Sequence, residues 1–234
     1  MTFRPYPGLT LATLILVAFL TWLGAWQLQR LQWKEALIAT VGGHMDAKPV
    51  TLDEALKLDA DAVQYRRVAL SGHFDNAKEA YVFTTGKEGD PVYHVLTPFI
   101  TADGRTLMVD RGKIPAEKLA PQTRPPITGE AALVGVWRVP DRPGVFTPAP
   151  DPARRIWYAR DLAEIAAADG VKLAAPVVIE ADSRPNPGGW PQGGQTVVSF
   201  TNNHLSYAIT WFGLAAGLVG VYFAYHISKG RFRL

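Results

Sequence analysis

The sequence predicts an α+β membrane protein in which two transmembrane helices, one at each end of the chain, flank an antiparallel β-sheet or small barrel-like domain with short helices. Residues 9–28 are twenty consecutive residues without a charged side chain, and residues 205–227 contain no Asp, Glu, Lys or Arg. About 20 apolar residues in a helix cross ~30 Å of hydrocarbon. The roughly 175 residues between these spans are more polar and contain several short runs typical of strands.

Both termini are predicted to lie on one side of the membrane, because the chain crosses it twice. Arg4 precedes the first span, and Lys229, Arg231 and Arg233 follow the second. Short basic tails stay cytoplasmic, whereas a long loop is translocated largely regardless of its charge. We therefore expect a protein of the bacterial inner (plasma) membrane with a periplasmic domain, or its counterpart facing the intermembrane space of an organelle. The expected segments are a cytoplasmic tail (1–8), transmembrane helix 1 (9–28), a periplasmic domain (29–203), transmembrane helix 2 (205–227) and a second cytoplasmic tail (228–234).

The first span is interpreted as a retained anchor rather than a cleaved signal peptide. The apolar core of a signal peptide is usually ~7–15 residues long, and small residues follow it at the cleavage site. Here the apolar run is longer and continues into GAWQLQR (24–30), which has no such site.

The domain is predicted to begin with a helical continuation of the first span. Apolar residues keep helical spacing beyond the span, and Gly42-Gly43 is expected to end the helix. Thr51, with Glu54 three residues later, predicts a short helix opened by a capping box. Asp161 is the expected N-cap of another helix over 161–169.

Six segments are predicted strands, because they are rich in β-branched and aromatic residues and are bounded by Gly, Pro, Asp and Asn. They are 67–74, 80–85, 92–100, 106–111, 131–138 and 176–181. Ala102-Asp103-Gly104 predicts a tight hairpin turn, and short turns between successive strands indicate an antiparallel sheet that can curl into a small barrel. Five prolines predict a loop over 140–152, and the Pro- and Gly-rich residues 185–194 predict a flexible approach to the second span.

The composition excludes several kinds of functional site. There is no cysteine, which excludes disulfides, thiolate-bound metals, iron–sulfur clusters and covalent haem attachment. Only three methionines are present, so a Met-rich copper site is absent too. The chain lacks the G-x-S-x-G, H-E-x-x-H and Walker motifs, and we expect it not to be an enzyme. No basic cluster interleaved with aromatic residues indicates a nucleic-acid partner.

The ionisable residues of the domain show no catalytic or metal-binding spacing. Three acidic residues are interpreted as solvated residues of turns and strand ends: Asp103, Asp110 and Asp182. Three histidines are interpreted as surface or half-buried residues rather than ligands: His44, His73 and His94. His226, near the cytoplasmic end of the second span, is interpreted as an interfacial anchor.

His204 is the candidate functional residue, because it stands immediately before the second span and ionisable residues at a membrane are functional candidates by default. At 100° of rotation per residue, four residues of the span that lie within about 40° of His204 are Ala208, Trp211, Ala215 and Tyr222. Three glycines lie near the opposite side and form a stripe suited to a partner helix: Gly213, Gly217 and Gly220. A flat apolar ligand bound through the imidazole can lie along the alanines. On geometry alone, the alternative stays open that His204 or the preceding asparagines only cap the helix.

Arg30 and Lys34 leave the membrane on the side on which His204 enters it. Cations at this level can pair with anionic groups such as haem propionates. Ordinary interfacial anchoring is the alternative, and it is favoured more strongly for Lys34 than for Arg30.

Four motifs of this chain resemble those of a known family. They are GAWQLQR (24–30), YRRVALSGHF (65–74), DRG (110–112) and NNHLSYAITW (202–211). Their order, the two-span hairpin and the loop size resemble the surfeit locus protein (Surf-one) family of cytochrome c oxidase assembly factors, bacterial type, over nearly the whole chain. One departure is visible, since the family usually follows Arg-Gly with Trp-Val-Pro, whereas this chain has Lys113-Ile114-Pro115.

The resemblance implies a non-enzymatic role in the maturation of haem–copper terminal oxidases, in which the protein binds haem a and aids its insertion into the catalytic subunit. The family's haem-linked histidine matches His204, which is the implied axial ligand of the haem iron. Trp211 would then pack against the macrocycle, Ala208 would line it, and Arg30 would meet a propionate. The implied partners are the oxidase catalytic subunit, haem a synthase and the lipid membrane.

Two other functions stay open. A membrane scaffold would stabilise an oxidase assembly intermediate without binding haem, and it would co-purify with the oxidase subunit or the haem synthase. A membrane-tethered ligand-sensing domain would require a cytoplasmic signalling module, and seven residues follow Ile227 in this sequence.

Overall fold

A computed structural model of the protein describes residues 2–140, 143–196 and 202–233. The chain divides into two compact units. Met1–Thr40 and Ser199–Leu234 form one, called here the helical unit, and Val41–Val198 form the other, called here the β unit.

The helical unit is built on two long helices, Pro7–Asp46 (α1), which continues into the β unit, and His204–Ser228 (α5). The short strands Thr2–Phe3 (β1) and Phe232–Arg233 (β10) pair antiparallel and join the chain ends. Both helices are long and apolar enough to cross a membrane. Most side chains of their apolar segments face outwards and are not buried within the protein, which favours membrane anchoring.

The first helix runs further than the sequence predicted. Gly42-Gly43 does not end α1, which continues to Asp46, and Ala47 N still donates to Gly43 O at 3.1 Å. A glycine inside a helix costs about 1 kcal/mol relative to alanine, which neighbouring packing can outweigh. Val41, 4% exposed, supplies such packing just before the glycines.

The β unit contains eight strands and three short helices within the described ranges. The strands are Val50–Thr51 (β2), Arg67–Phe74 (β3), Ala80–Thr85 (β4), Pro91–Thr101 (β5), Thr106–Pro115 (β6), Ala131–Arg138 (β7), Ile156–Trp157 (β8) and Val178–Ala181 (β9). The helices are Leu52–Ala55 (α2), Ala60–Val63 (α3) and Leu162–Ala168 (α4). All six predicted strands are confirmed, and three of them have the predicted bounds. The two-residue strands and α3 were not predicted, because segments this short carry no hydrophobic period.

The sheet of the β unit closes on itself. Neighbouring strands follow the order β2-β3-β7-β9-β6-β5-β4-β8, and β3 also pairs with β5. The strands β3, β7, β9, β6 and β5 therefore form a closed ring, which confirms the predicted barrel-like domain. β3 turns from β7 to β5 at Gly72, which pairs with both Ala131 and Thr101. A Cβ on Gly72 would lie 2.0 Å from Ile100 O, so the closure requires glycine at this position.

The sheet is not purely antiparallel. Three pairings run parallel, namely β2 with β3, β4 with β8 and β6 with β9. The pairs β4–β8 and β6–β9 join strands that are distant along the chain, and the consecutive strands β2 and β3 are connected through α2 and α3 rather than by a tight turn. Parallel pairing needs a long crossover connection, and such connections leave no turn motif in the sequence.

The local motifs of the β unit are confirmed. Thr51 and Glu54 form the reciprocal capping box of α2, with Thr51 N donating to Glu54 Oε2 at 2.7 Å. Asp161 caps α4 by accepting from two backbone N–H groups at 3.1 Å. The β5–β6 hairpin is closed by a bond of 2.8 Å from Thr101 N to Arg105 O. In each helix motif, a polar side chain at the predicted spacing accepts hydrogen bonds from nearby backbone N–H groups.

Two loop predictions had different outcomes. The described part of 140–152 is a loop, as predicted, with one isolated bridge from Asp151 to Ile156, and residues 141 and 142 lie outside the described residues. The flexible approach predicted over 185–194 is wrong, because this segment is bonded to the sheet. Gln192 and Lys113 exchange two backbone bonds of 2.9 and 3.0 Å, and Gly194 N donates to Ala181 O at 2.9 Å.

The central strand β6 is buried on both faces. Successive side chains of a strand point to opposite faces. Leu107 and Val109 enter one hydrophobic cluster with Phe99 and Ile179, whereas Met108 enters another with residues of α4. The polar residues that follow, Asp110 and Arg111, continue this alternation and carry charge into the interior on opposite faces of the strand.

Candidate functional site

His204 is the first residue of α5, and its ring is held by a residue of α1. His204 Nδ1 lies 2.7 Å from Gln27 Oε1, and both side chains are half-buried. An amide oxygen can only accept, so Nδ1 carries the proton and donates. Nε2 makes no hydrogen bond with any residue that the structure describes, and in the neutral form of this tautomer it carries the lone pair. A metal-binding histidine is held in this way, with one nitrogen hydrogen-bonded and the other available.

The alternative that His204 or the asparagines before it only cap the helix has little support in the contacts at the start of α5. Asn203 is the N-cap residue, and its side chain makes no capping hydrogen bond. Asn202 Oδ1 accepts from His204 N at 3.4 Å, which is a long contact. The imidazole of His204 therefore reaches across to α1 instead of closing the end of its own helix.

The face of α5 that packs on α1 carries the alanines, and the glycine stripe predicted for a partner helix is left open. Ala208 and Ala215 are 1% and 7% exposed, and a Cβ on Gly24 would lie 2.7 Å from the Phe212 ring. By contrast, a Cβ on any of the three stripe glycines would meet no atom within 4 Å: Gly213, Gly217 and Gly220. The small residue that permits close approach of α1 and α5 is Gly24, which receives the Phe212 ring, so the partner helix predicted for the glycine stripe is not α1.

The other predicted site residues surround His204 unequally. Trp211 is half-buried and lies two turns further along the same face. Ala208 does not line an open surface, because its side chain is enclosed in the helix pair. Arg30 is exposed, and its guanidinium lies 4.5 Å from the centre of the Trp33 ring. The structure thus joins His204 to Gln27, and it leaves Arg30 as a solvent-facing cation one turn beyond Gln27 on α1.

Gln27 is the functional residue that sequence reasoning missed. It lies in the quoted GAWQLQR motif, but it received no role because its partner is 177 positions away. A usable signal was present, since Gln27 is an amide within an otherwise apolar span and such residues seek partners on facing helices.

His226 is a structural residue rather than the predicted interfacial anchor. It is fully buried, accepts from Tyr6 N at 3.3 Å, and contacts Tyr222 O at 2.8 Å through Nδ1. Its ring also lies 4.2 Å from the Tyr222 ring and 5.4 Å from the Phe3 ring, measured between centroids. These contacts join the end of α5 to the start of α1, and they use both ring nitrogens.

Asp110 is a buried ion-pair residue of the β unit, not the solvated residue that the sequence indicated. It is 3% exposed, and its Oδ2 accepts from His94 Nδ1 and from Arg160 Nη2, each at 2.7 Å. Gly112 N donates to its other oxygen at 2.9 Å. His94 is buried by the same network, at 8% exposure. Among the described residues, no group of three His, Asp or Glu could hold a metal ion, so this network is best explained as structural.

The Asp110 network predicts acid sensitivity. Burial acts to raise the pKa of Asp110, but the charge and hydrogen bond of His94, then Arg160 and Gly112 N, outweigh it and hold this pKa below the usual value. A folded-state pKa below the unfolded value, near 4, gives stability that is present above about pH 4 and lost as pH falls through the folded pKa. We expect Asp110→Asn to lose about 3 kcal/mol at pH 7 and to show less acid dependence. Unfolding of the full chain in detergent, followed by circular dichroism from neutral to acid pH, measures both effects.

The control for this prediction is Asp61→Asn, at an exposed position of α3. It should leave both the stability and its pH dependence unchanged. An acid unfolding profile of Asp110→Asn identical to that of the wild type would contradict the role given to this carboxylate.

Comparisons with known proteins agree with the motif resemblance. The profile of the SURF1 family matches residues 14–216. Surfeit locus protein 1 of Mus musculus is 37% identical over 225 residues, which cover 88% of this chain and 72% of the mouse protein. The Homo sapiens protein of that name is 36% identical over 219 residues (86% and 72%), and that of Takifugu rubripes is 34% identical over 227 residues (88% and 92%). With 203 of its 234 residues matched by the profile, the chain belongs to the SURF1 family.

Proposed function

We propose that this protein is a non-enzymatic assembly factor for a haem–copper terminal oxidase, cytochrome c oxidase, and that it binds haem a and aids insertion of the haem into the catalytic subunit. Membership of the family supports the assembly role. The observation that carries haem binding is the His204–Gln27 pair, because it engages Nδ1 and leaves Nε2 as an available ligand atom.

The residues of the helical unit fit this role in part. His204 would supply the axial nitrogen, and Gln27 would hold the imidazole in the required tautomer. Haem a, when bound, supplies an iron that accepts an imidazole nitrogen. Arg30 is free of carboxylate partners among the described residues and would pair with a propionate, and Trp211 would pack on the macrocycle. Ala208 is left out of this site, because it is reached only if the helices separate.

A single protein ligand suits a transfer function. The protein must hold haem less tightly than the site that receives it, and His204 would hold the iron through a single protein nitrogen. The half-buried setting of His204 at the end of its helix also leaves a path for the ligand to leave.

The proposed setting is a bacterial inner membrane that α1 and α5 cross, with both tails cytoplasmic and the β unit in the periplasm. The basic tails and the long translocated loop support this orientation. The domain boundaries predicted from the sequence belong to the same proposal. The expected partners are the oxidase catalytic subunit and haem a synthase.

The test is the haem content of the purified protein. The full chain is co-expressed with the enzymes of haem a synthesis, purified in detergent, and its absorption spectrum is recorded. His204→Ala should lose at least about tenfold in bound haem, since the iron ligand is removed. His73→Ala, whose side chain is 48% exposed in the β unit, should retain the wild-type content. Equal haem in His204→Ala and wild type would refute the ligand assignment.

Gln27 gives a second, graded test of the same site. Gln27→Leu keeps the size of the side chain and removes the acceptor for His204 Nδ1–H. Loss of such an outer partner typically weakens metal binding about 10–100-fold. Gln29→Leu, at an exposed position two residues away, is the matched control. Unchanged haem binding in Gln27→Leu would show that the hydrogen bond does not position the ligand.

A scaffold that stabilises an assembly intermediate is the second candidate function. The open glycine stripe of α5 favours it, because these glycines meet no atom within 4 Å and can receive a helix of another subunit. The scaffold predicts co-purification with the catalytic subunit and no haem in the wild-type spectrum.

A further inference from the structure

A buried charge cluster of the β unit has more positive than negative charge. Glu79, Arg111 and Arg124 are 6%, 2% and 6% exposed. Glu79 Oε1 accepts from Arg111 Nη1 at 2.9 Å, and Glu79 Oε2 accepts from Arg124 Nη2 at 2.8 Å. One carboxylate is thus shared by two guanidinium groups. Buried charges are normally paired, so the remaining positive charge calls for a partner.

The neighbours of the cluster do not supply that partner. Asn76 is uncharged and accepts from Arg111 Nη1 at 3.3 Å. Burial raises the pKa of Tyr81 to about 12, and the nearby charge of Glu79 adds to this, so the phenol stays protonated and donates to Glu79 at 3.0 Å. Two further acidic residues lie nearby: Asp169 makes a two-bond ion pair with Arg155 at 2.7 Å, and Glu117 is an exposed residue that lines the neighbouring cavity. Within the described residues, the cluster therefore keeps a net charge of +1.

The two arginines also keep unused donors. A guanidinium carries five N–H groups, and the hydrogen bonds of Arg111 and of Arg124 each come from one terminal nitrogen. Nε of both residues is buried without a hydrogen-bond partner. The other terminal nitrogens, Arg111 Nη2 and Arg124 Nη1, have no acceptor among the described residues either. Burial lowers the pKa of Arg111, attraction by Glu79 offsets this only in part, and repulsion by Arg124 adds to the lowering.

These arginines line an open cavity of about 580 Å³. Its other walls include Asn76, Glu79 and a rim of proline and polar residues over 121–126. The cavity has the size of a small-molecule site. The aromatic rings of Phe74 and Tyr81 lie 5.0 and 5.8 Å from the two guanidinium carbons and help to fix the arginines in place.

We propose that this cavity is a binding site for a carboxylate group held by Arg111 and Arg124. A carboxylate matches the planar fork of a guanidinium. It is a monoanion, so it neutralises the single excess charge, whereas a phosphate dianion leaves the cluster negative. The carboxylate belongs either to a small organic acid or to the C-terminus of a peptide. The site lies within the β unit and is independent of haem binding at His204.

The experiment follows the arginine Nε–Hε signals of the full chain in detergent by nitrogen-15 NMR. Four additives are compared at constant ionic strength: sodium propionate, trialanine with a free carboxylate, trialanine amide, and sodium phosphate. Propionate is expected to shift the Arg111 and Arg124 signals saturably. A response to propionate and to trialanine identifies an exposed carboxylate of either source, and a response to propionate alone identifies a small acid. The amide is the control that keeps the ammonium group of the peptide and lacks its carboxylate, and it should give no shift.

Gln122→Glu provides the variant, because Gln122 is an exposed residue of the cavity wall and its replacement leaves the ion pairs intact. The added negative charge should weaken propionate binding about tenfold, which corresponds to about 1.4 kcal/mol. Ala132→Glu adds the same charge at an exposed position of β7 outside the cavity wall and should bind propionate as the wild type does. Absence of a saturable shift with propionate, an equal response to trialanine amide, or tighter binding of phosphate than of propionate would each overturn the proposal. Because these outcomes are read on Arg111 and Arg124, they are independent of whether His204 binds haem.

Discussion

Glu79→Ala is expected to prevent stable folding of the β unit. The substitution leaves Arg111 and Arg124 buried side by side without the carboxylate that both of them bind. Removing one partner of a buried ion pair typically costs about 3–5 kcal/mol, whereas a whole domain is stable by only about 5–15 kcal/mol. Near-ultraviolet circular dichroism and limited proteolysis of the full chain in detergent measure the loss of packing.

The control for Glu79 is Glu117→Ala, which removes an exposed carboxylate from the same region and should have little effect. A second variant distinguishes the loss of the ion pairs of Glu79 from the cost of leaving two arginines buried without a carboxylate. Adding Arg111→Met to Glu79→Ala removes one of the stranded charges and should recover part of the stability, as coupled residues do. Wild-type stability of Glu79→Ala alone would show that the buried cluster contributes nothing to folding.

Gly112→Ala is expected to be the most damaging small substitution in the chain. Gly112 has φ of +120°, a region that L side chains rarely adopt, and a Cβ there would lie 2.0 Å from Gln192 O and 2.2 Å from Gln192 C. Both atoms belong to the backbone that pairs with Lys113, so neither moves cheaply. Strain and overpacking together are expected to cost about 4 kcal/mol.

Gly104→Ala is the matched control for this glycine. Gly104 also has a positive φ, of +85°, but no atom lies within 4 Å of a Cβ at this position. Only the backbone strain remains, which is about 1–2 kcal/mol. Urea unfolding of the two variants should therefore differ by roughly 2–3 kcal/mol, by the same overpacking cost. Equal destabilisation would mean that the contact with Gln192 is relieved by movement of the chain.

The elements with local causes were predictable from the sequence. The bounds of β3 and the capping box at Thr51 depend on residue types within a few positions, so they were read directly. The ring closure at Gly72 was not, because it depends on a pairing with Thr101 that no local period encodes. Parallel pairings such as β6 with β9 were missed for the same reason.

Polar residues were predicted less well than strands. An aspartate in a strand is predicted to be solvent-exposed unless its ion-pair partners are known. The partners of Asp110 lie 16 and 50 positions away along the chain. The DRG motif was recognised only by resemblance. The structure shows what each residue of the motif does. Asp110 and Arg111 join separate polar networks on opposite faces of β6, and Gly112 permits close contact with Gln192.

The candidate site shows the same division between local and distant information. His204 was identified from its position at the start of an apolar helix. Its hydrogen bond to Gln27 depends on how α1 packs against α5. The contact of the alanine face with α1 depends on the same packing, which cannot be derived from the sequence of α5 alone. The proposed ligand residue was thus accessible to sequence reasoning, whereas its hydrogen-bond partner was not.

The closed ring has a consequence for how other proteins recognise the β unit. The sheet ends at β2 on one side and at β8 on the other, and each of these strands has two residues. Long unpaired strand edges are the usual template on which another chain adds a strand. This unit presents only short ones within its described residues. Partners are therefore expected to bind through side chains and loops rather than by β-augmentation, so single surface substitutions should suffice to separate one partner from another.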